Sequence, residues 1–464
     1  MTATVLLPGI ISLGPQMILG SGVVLAMFFG MLRLAAKFPR WLPIAILLSA
    51  AAMAASLAAT LTPPAVTIAA LPPLIRINGM SQAWQFLFFG GALFLACSME
   101  MDDEIAVVLL LGSVLGMTLL ACADHLFMLF IGLEFMSLPV YLLVARGWGR
   151  RPKAREAAVK YFFAGGLAGA LFLMGMALFY AETKTLALSG VSGVPLAEAG
   201  IALMGVSALF KIGAVPMHFW LPDVYEASAP ELAGFLSTAM KSAGFLLLMR
   251  LVALSPHGPL ALWLPAIGAL TMLFGSFLAL RQWCLQRLLA YSSISHAGYL
   301  ILGVGAWAAQ GAKPAAAAPV FFYLAAYLLM SNGAFLFLKV SGISTRGELS
   351  GYARCQPVLA ALFAALLLAL GGIPPTAGFL AKLFIFWEAI KAGLYVPAAA
   401  GALAALVALG YYLGLIRAMY LDDPTGAAPA VLNRGALVYL CAIPAAVLGV
   451  FPWLLSAISR VLAL

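Results

Sequence analysis

Apolar residues run in stretches of about twenty along this chain, and a charged residue, a proline or a glycine closes each stretch. A helix crossing a hydrocarbon core of ~30 Å needs about twenty apolar residues, so the pattern predicts membrane-spanning helices. Fourteen candidate spans can be marked, at residues 9–32, 41–61, 82–99, 105–122, 124–145, 156–181, 196–218, 229–253, 259–280, 286–308, 316–339, 357–390, 395–420 and 435–456. The longest gap, 62–81, leaves no room for a soluble domain. The expected fold class is therefore an all-α polytopic membrane protein. The first run has no basic residue before it and is long for a signal peptide, so it reads as a retained helix.

Composition agrees with the pattern. Hydrophobic residues fill 64% of the 464 positions and charged residues 9%, against roughly 45–50% and about 25% in soluble domains. The net charge of +9 does not point to nucleic acid, because the basic residues are strung singly or in short groups between apolar runs. Cys97, Cys122, Cys284, Cys355 and Cys441 are scattered, with no paired spacing that would staple the fold or hold a metal or iron–sulfur cluster. There is no phosphate-binding loop and no dinucleotide fingerprint opening a βαβ unit. The chain is expected to bind no ATP, NADH, flavin or metal, so energy to move ions must come from elsewhere.

Fourteen spans place both termini on one side. With that side outside, cytoplasmic loops hold Arg33, Lys37, Arg40, Arg146, Arg150, Arg151, Lys153, Arg155, Arg281, Arg287, Lys339, Arg346, Arg354, Arg417 and Arg434. The outer loops and ends hold only Arg76, Lys184, Arg250, Lys313, Lys391 and Arg460. That bias predicts both termini on the outer, periplasmic face. It leaves Lys160, Lys211, Lys241 and Lys382 unexplained by any loop.

Two spans are interrupted. Span 196–218 carries Lys211 and then Gly213 and Pro216, with His218 following. Span 357–390 would reach ~50 Å as one helix, and the run Gly371-Gly372-Ile373-Pro374-Pro375 breaks it, because adjacent prolines remove two backbone donors. Lys382 follows that break. The two stand five spans apart, and five is odd, so successive five-helix units run in opposite orientations. Paired interrupted helices in inverted halves point to a transport site near the midplane.

An ionisable group at membrane depth costs from about 2.5 kcal/mol upward and is a functional candidate by default. Lys211 and Lys241 lie too deep in their spans for an easy snorkel. Either could be a structural lysine satisfied by carbonyls at a break. The alternative is a proton carrier, since burial disfavours a lysine's charged form and suits it to releasing a proton. Glu134 is the carboxylate near the middle of a span, and a lysine on another helix is its natural partner. Lys382 is similar but nearer the far side of its broken helix. Lys160 sits about a turn inside its helix and can snorkel. His296, amid Ser292-Ser-Ile-Ser-His296, and His218 are placed as relays would be, with hydrogen-bonded packing as the plain alternative. His125 and His257 are at helix ends and read as structural. The patch Ala164-Gly-Gly-Leu-Ala-Gly169 reads as close helix packing.

Three segments carry a family resemblance: Phe210-Lys-Ile-Gly-Ala-Val-Pro-Met-His-Phe-Trp-Leu-Pro-Asp-Val-Tyr-Glu226, Leu289-Ala-Tyr-Ser-Ser-Ile-Ser-His-Ala-Gly-Tyr299 and Gly372-Ile-Pro-Pro-Thr-Ala-Gly-Phe-Leu-Ala-Lys-Leu383. They resemble the antiporter-like membrane subunits of proton-pumping NADH:quinone oxidoreductase (respiratory complex I) and the related Mrp cation/proton antiporters. The Asp-Val-Tyr-Glu ending and Lys241 fit one branch of the complex I subunits better than the Mrp proteins. Lys382 argues against subunit M of that family, which carries glutamate there. Ala227-Ser-Ala-Pro-Glu-Leu232 departs from the family's usual Ala-Pro-Thr-Pro.

The resemblance implies N-terminal helices over 1–104, a first five-helix repeat over 105–253, an inverted second repeat over 259–420 and a C-terminal helix over 421–464. It implies a proton route from the Glu134–Lys211 pair through Lys241 to Lys382, with Lys160, His218 and His296 at further family positions. It implies an enzyme only as part of a complex. NADH, FMN, iron–sulfur clusters and quinone would sit on partner subunits. The partners would be subunit M, small membrane subunits and lipid, in a bacterial cytoplasmic membrane. An Mrp-type Na+/H+ antiporter or membrane-bound hydrogenase subunit is the same-class alternative, and a purely structural membrane subunit is the other.

Overall fold

The computed structural model describes residues 13–32, 39, 41–60, 68–71, 74–99, 104–146, 153–191, 193–424 and 436–463. The start of the first span lies outside them, as do the loop cations Arg33, Lys37, Arg40, Arg150, Arg151 and Arg434. Among the described residues ten helices are long and apolar enough to cross a membrane, with shorter apolar helices at Gly14–Phe29, Trp41–Leu57, Pro357–Gly371 and Ala436–Val450.

The chain forms α1 (Gly14–Leu32), α2 (Trp41–Thr60), β1 (Ile68–Leu71), β2 (Ile75–Ile77), α3 (Gly79–Ser98), α4 (Glu104–Cys122), α5 (Leu126–Ala145), α6 (Ala154–Thr183) and α7 (Pro195–Ile212). There follow α8 (Leu221–Ala227), α9 (Pro230–Phe235), a π-helical turn (Leu236–Met240), α10 (Lys241–Leu254), α11 (Pro259–Ala279), α12 (Leu285–Ala309) and α13 (Ala318–Ser341). The last elements are α14 (Tyr352–Cys355), α15 (Pro357–Gly371), α16 (Ala377–Lys391), α17 (Tyr395–Leu421), α18 (Ala436–Val447) and α19 (Leu454–Ala463).

One amendment to the all-α expectation lies in the gap at 62–81. There β1 and β2 pair antiparallel, Ile68 opposite Ile77 and Ala69 opposite Arg76. Ile75 and Ile77 are buried while Arg76 between them is exposed, the period of two that a half-buried strand requires. Asn78 then starts α3 with a capping box: its Oδ1 accepts from Ser81 N at 2.8 Å, and Asn78 N donates to Ser81 Oγ at 3.0 Å.

The helices fall into two compact units. The first comprises Met1–Lys211, Ala239–Leu260 and Arg460–Leu464, the second Ile212–Thr238 and Ala261–Ser459. Within the first, α4 and α5 cross with backbones touching: Gly116 faces the Met136 backbone, and a Cβ on Gly132 would lie 2.8 Å from Leu120 N. Gly175 of α6 meets Gly200 of α7 in the same way. Within the second, a Cβ on Gly268 of α11 would lie 3.0 Å from the Gly298 carbonyl of α12. Lipid tails are as apolar as leucine, so such small-residue contacts hold membrane helices together. Phe163, Leu167, Trp263, Val396 and Leu406 stay exposed, as lipid-facing side chains do.

At one end of the first unit the connections are laced by backbone hydrogen bonds. Asp124 N donates to Leu74 O at 2.8 Å, Leu126 N to Leu186 O at 2.8 Å, and Val191 N to Leu254 O at 2.7 Å. Arg76 pairs with Asp124 at 2.8 Å. His125 caps α5, its Nδ1 accepting from Phe127 N at 3.3 Å. Burial pushes the His125 imidazole below its ordinary range, with the Asp124 carboxylate pulling the other way. The helix-end reading of His125 thus becomes a capping role.

Candidate proton-transfer site

Helix α7 stops at Ile212 because Gly213 takes φ 78, a left-handed conformation that glycine adopts at little cost. Lys211, the residue before Ile212, is 6% exposed, so its ammonium is held by the protein. Its Nζ donates to Tyr141 Oη at 2.9 Å and lies 4.9 Å and 5.2 Å from the ring centroids of Tyr141 and Tyr161. Tyr141 comes seven residues after Glu134 on α5, two turns along one face. Glu134 is half-buried and acts through its charge on both Lys211 and Tyr141. Among the described residues no direct ion pair joins Glu134 to Lys211. A phenolic hydroxyl stands at the ammonium instead.

The glycine patch makes room for these groups. A Cβ on Gly169 would lie 2.9 Å from Glu134 Oε1, and one on Gly165 would run into the Tyr141 hydroxyl. The patch therefore does more than pack helices: its glycines are the wall against which the carboxyl and the phenol sit.

Lys241, 1% exposed, opens α10 directly after the π turn. A π turn inserts one residue into a helix and commonly marks a functional position. The residue before it meets Ser113 of α4, whose Oγ donates to Met136 O of α5 at 3.0 Å and lies 3.7 Å from Met240 Sδ. The sequence contained no Pro or Gly to announce this irregularity.

In the second unit the chain breaks again. Gly372 takes φ 82 after α15, and α16 begins at Ala377. Lys382, 5% exposed, reaches back across the gap, its Nζ donating to Leu370 O at 3.0 Å and Gly371 O at 2.7 Å. Sequence reasoning placed Lys382 toward the far side of its broken helix. From that position its side chain turns back to the break, because helical side chains lean toward the helix N-terminus. The Tyr299 ring lies 5.2 Å from the same ammonium.

His296 is buried among tyrosines. Its Nδ1 shares a hydrogen bond with Tyr323 Oη at 2.8 Å, and its ring lies 4.9 Å from that of Tyr327. The same unit holds further buried polar pairs: Ser237 with Ser331 at 2.7 Å, Ser276 with Ser295 at 2.8 Å, and Asn332 Nδ2 donating to Thr238 Oγ1 at 3.0 Å. Imidazole and hydroxyl groups both donate and accept, which lets a proton pass along them. Asp223 and Glu226 of α8 both accept from Arg287 Nη1 at 2.8 Å, fixing the short helix after the first break. His218 lies in the turn between α7 and α8, half-buried, its ring 4.6 Å from that of Phe274.

Lys160 does not join either group. It is exposed on α6 and pairs with Glu156 one turn earlier at 2.5 Å, the snorkelling arrangement. Tyr141, Tyr161, Tyr299, Tyr323 and Tyr327 were not singled out from sequence. Their signal was helical spacing, Tyr141 at i+7 from Glu134 and Tyr299 at i+3 from His296. Among the described residues no group of three His, Cys, Asp or Glu side chains is placed to hold a metal.

Residues 123–408 match the family described as NADH:quinone oxidoreductase/Mrp antiporter, TM. The chain is 37% identical over 364 residues to the NADH-quinone oxidoreductase subunit N of Mycobacterium tuberculosis strain H37Rv, covering 73% of this chain and 67% of that one. It is 40% identical over 378 residues to the NADH-quinone oxidoreductase subunit N 1 of Sorangium cellulosum, covering 74% and 73%. A chain of respiratory complex I from Thermus thermophilus superposes with a TM-score of 0.82 at 34% identity, covering 96% of this chain and 99% of that one. A chain of the Mrp complex from Dietzia superposes at 0.85 with 21% identity, covering 98% and 97%, a likeness of fold.

Proposed function

This chain belongs to the NADH:quinone oxidoreductase/Mrp antiporter family of membrane subunits, and from that premise we propose that it translocates protons within an NADH:quinone oxidoreductase through Glu134, Lys211, Lys241 and Lys382. The observation that carries this is the setting of the three lysines. Each is buried in apolar helices, and each adjoins a backbone irregularity: the Gly213 break, the π turn and the Gly372 break. Packing alone has no use for three such charges at three such places.

Glu134 takes up or releases a proton within the field of Lys211, and Tyr141 bridges to the ammonium. Moving the carboxyl closer or further changes how firmly Lys211 holds its proton, which is a switch for binding and release. Lys241 is the next carrier and Lys382 the last, an order taken from the family resemblance. His296 and its tyrosines would serve Lys382. His218 is kept as a relay, and Lys160, paired with Glu156, as a weaker one. The proposed architecture is fourteen spans with inverted repeats over 105–253 and 259–420, flanked by 1–104 and 421–464. Both termini would face the periplasm of a bacterial cytoplasmic membrane.

The redox chemistry belongs to partners carrying NADH, FMN, iron–sulfur clusters and quinone, and the neighbours would be subunit M and small membrane subunits. One observation favours a structural role for one residue: both carbonyls at the Gly372 break are satisfied by Lys382. The deciding experiment replaces Lys241 by Ala and measures protons moved per NADH oxidised in the assembled complex. Electron transfer without full pumping is expected. Undiminished pumping with intact assembly would sink the proposal.

A further inference from the structure

A set of polar side chains in the first unit has no part in the route above. Cys122, the last residue of α4, is fully buried, and two glutamines aim at its sulfur. Gln16 Nε2 of α1 lies 3.4 Å away and Gln85 Nε2 of α3 lies 3.5 Å away. Next to them Arg250 of α10 donates through Nη2 to the Ala121 carbonyl at 2.9 Å. Gln82 stands one turn before Gln85 on α3. Gln16 is 7% exposed, and Gln82 and Gln85 are 0%.

Despite this burial, Gln16 Oε1, Gln85 Oε1, Arg250 Nε and both polar atoms of the Gln82 side chain meet no hydrogen-bond partner among the described residues. Buried polar atoms are almost always paired, with protein or with ordered water. The chemistry of the set selects its ligand. The guanidinium disfavours a metal cation, and the two amide oxygens disfavour an anion. Amide donors and acceptors around a thiol, beside a guanidinium, fit water, which makes about three hydrogen bonds in a buried polar site.

Two charged sites lie along the same elements as the set. Asp124, two residues beyond Cys122, forms an exposed ion pair with Arg76, and both act on Arg250 through their charges. In the other direction α10 runs from Arg250 back to Lys241, nine residues or ~13.5 Å. We infer that Gln16, Gln82, Gln85, Cys122 and Arg250 form a water-binding pocket through which protons pass between the surface at Arg76–Asp124 and the Lys241 end of α10. The inference rests on the proton-carrier reading of Lys241.

The native thiol reports on the pocket. Infrared difference spectra of the assembled complex, wild type minus Cys122→Ala, isolate the Cys122 S–H stretch, and wild type minus Cys441→Ala isolates that of the equally buried Cys441. On transfer to D2O the Cys122 band is expected to exchange at least tenfold faster than the Cys441 band. Equal rates would overturn the pocket. Gln85→Leu is expected to slow that exchange and lower the protons moved per NADH, with NADH oxidation unchanged. Gln85→Met, closer in volume, carries the same readout where the leucine variant fails to assemble. An unaltered proton yield would overturn the route. Full pumping by Lys241→Ala would instead refute the parent reading, leaving the exchange result to stand by itself.

Discussion

Replacing Gly165 by Ala tests the link between Tyr141 and Lys211 by a steric change on a neighbouring helix. A Cβ at Gly165 would overlap the Tyr141 hydroxyl and lie 2.6 Å from Cζ, where ordinary contact begins at 3.4 Å, so the ring must retreat by more than about 0.8 Å. The hydrogen bond from Lys211 to Tyr141 is 2.9 Å long and ceases to be one beyond about 3.5 Å, after some 0.6 Å. The required retreat exceeds the tolerance. Hydrogen bonds to charged groups contribute about 1.5–3 kcal/mol, and each ~1.4 kcal/mol is tenfold in rate. Proton transfer past Lys211 should therefore slow roughly ten- to a hundredfold. Gly166→Ala is the control, because a Cβ there meets nothing within 4 Å. Both substitutions raise helix propensity by about 1 kcal/mol, so a stability effect alone would make them look alike. The complex is reconstituted in vesicles, and NADH oxidation and acidification of the lumen are followed together. Gly165→Ala and Tyr141→Phe should lose pumping while Gly166→Ala keeps it. Full pumping by Gly165→Ala would show that the Tyr141 contact is dispensable.

Two further outcomes are expected. Lys382→Met leaves the Leu370 and Gly371 carbonyls without their donor, at about 1–3 kcal/mol for each buried group, so the complex should melt at lower temperature. An unchanged melting curve would mean that the lysine does not hold the Gly372 break. The His125 cap needs a neutral imidazole to accept from Phe127 N, and burial lowers the folded value from 6.5. The capping contribution is then fully present above about 6.5 and lost as the pH falls below it through the folded value. Hydrogen exchange at the Phe127 amide, corrected for its intrinsic rate, should be faster at low pH, and His125→Ala should abolish that dependence. Equal corrected rates would exclude the cap as the pH-sensitive element.

Much of the helical fold could be read from residues because apolar length alone decides a membrane span. Both chain breaks could be read too, since Gly213 with Pro216 and Gly372 with Pro374 and Pro375 leave helical geometry no choice. The π turn before Lys241 was illegible: Leu236-Ser-Thr-Ala-Met240 contains no breaker, and its side chains are held by residues distant in sequence. The hairpin at Ile68–Ile77 escaped because its strands are three or four residues long. In the candidate site the expensive charges stood out, whereas the tyrosines beside them passed for ordinary apolar surface. A phenol looks like packing until a neighbour's charge is found within hydrogen-bond reach.

The lacing at the end of the first unit has a consequence for the order of synthesis. Its bonds join Asp124 to Leu74, Leu126 to Leu186 and Val191 to Leu254, and the unit itself resumes at Ala239 after a stretch assigned to the second unit. A ribosome that has delivered α1 to α7 has delivered only part of the first unit. The Val191 amide waits for the Leu254 carbonyl, so this lacing closes only once more than half of the 464 residues have been made. A chain truncated before Leu254 lacks the acceptor of the Val191 amide and leaves that edge of the unit open.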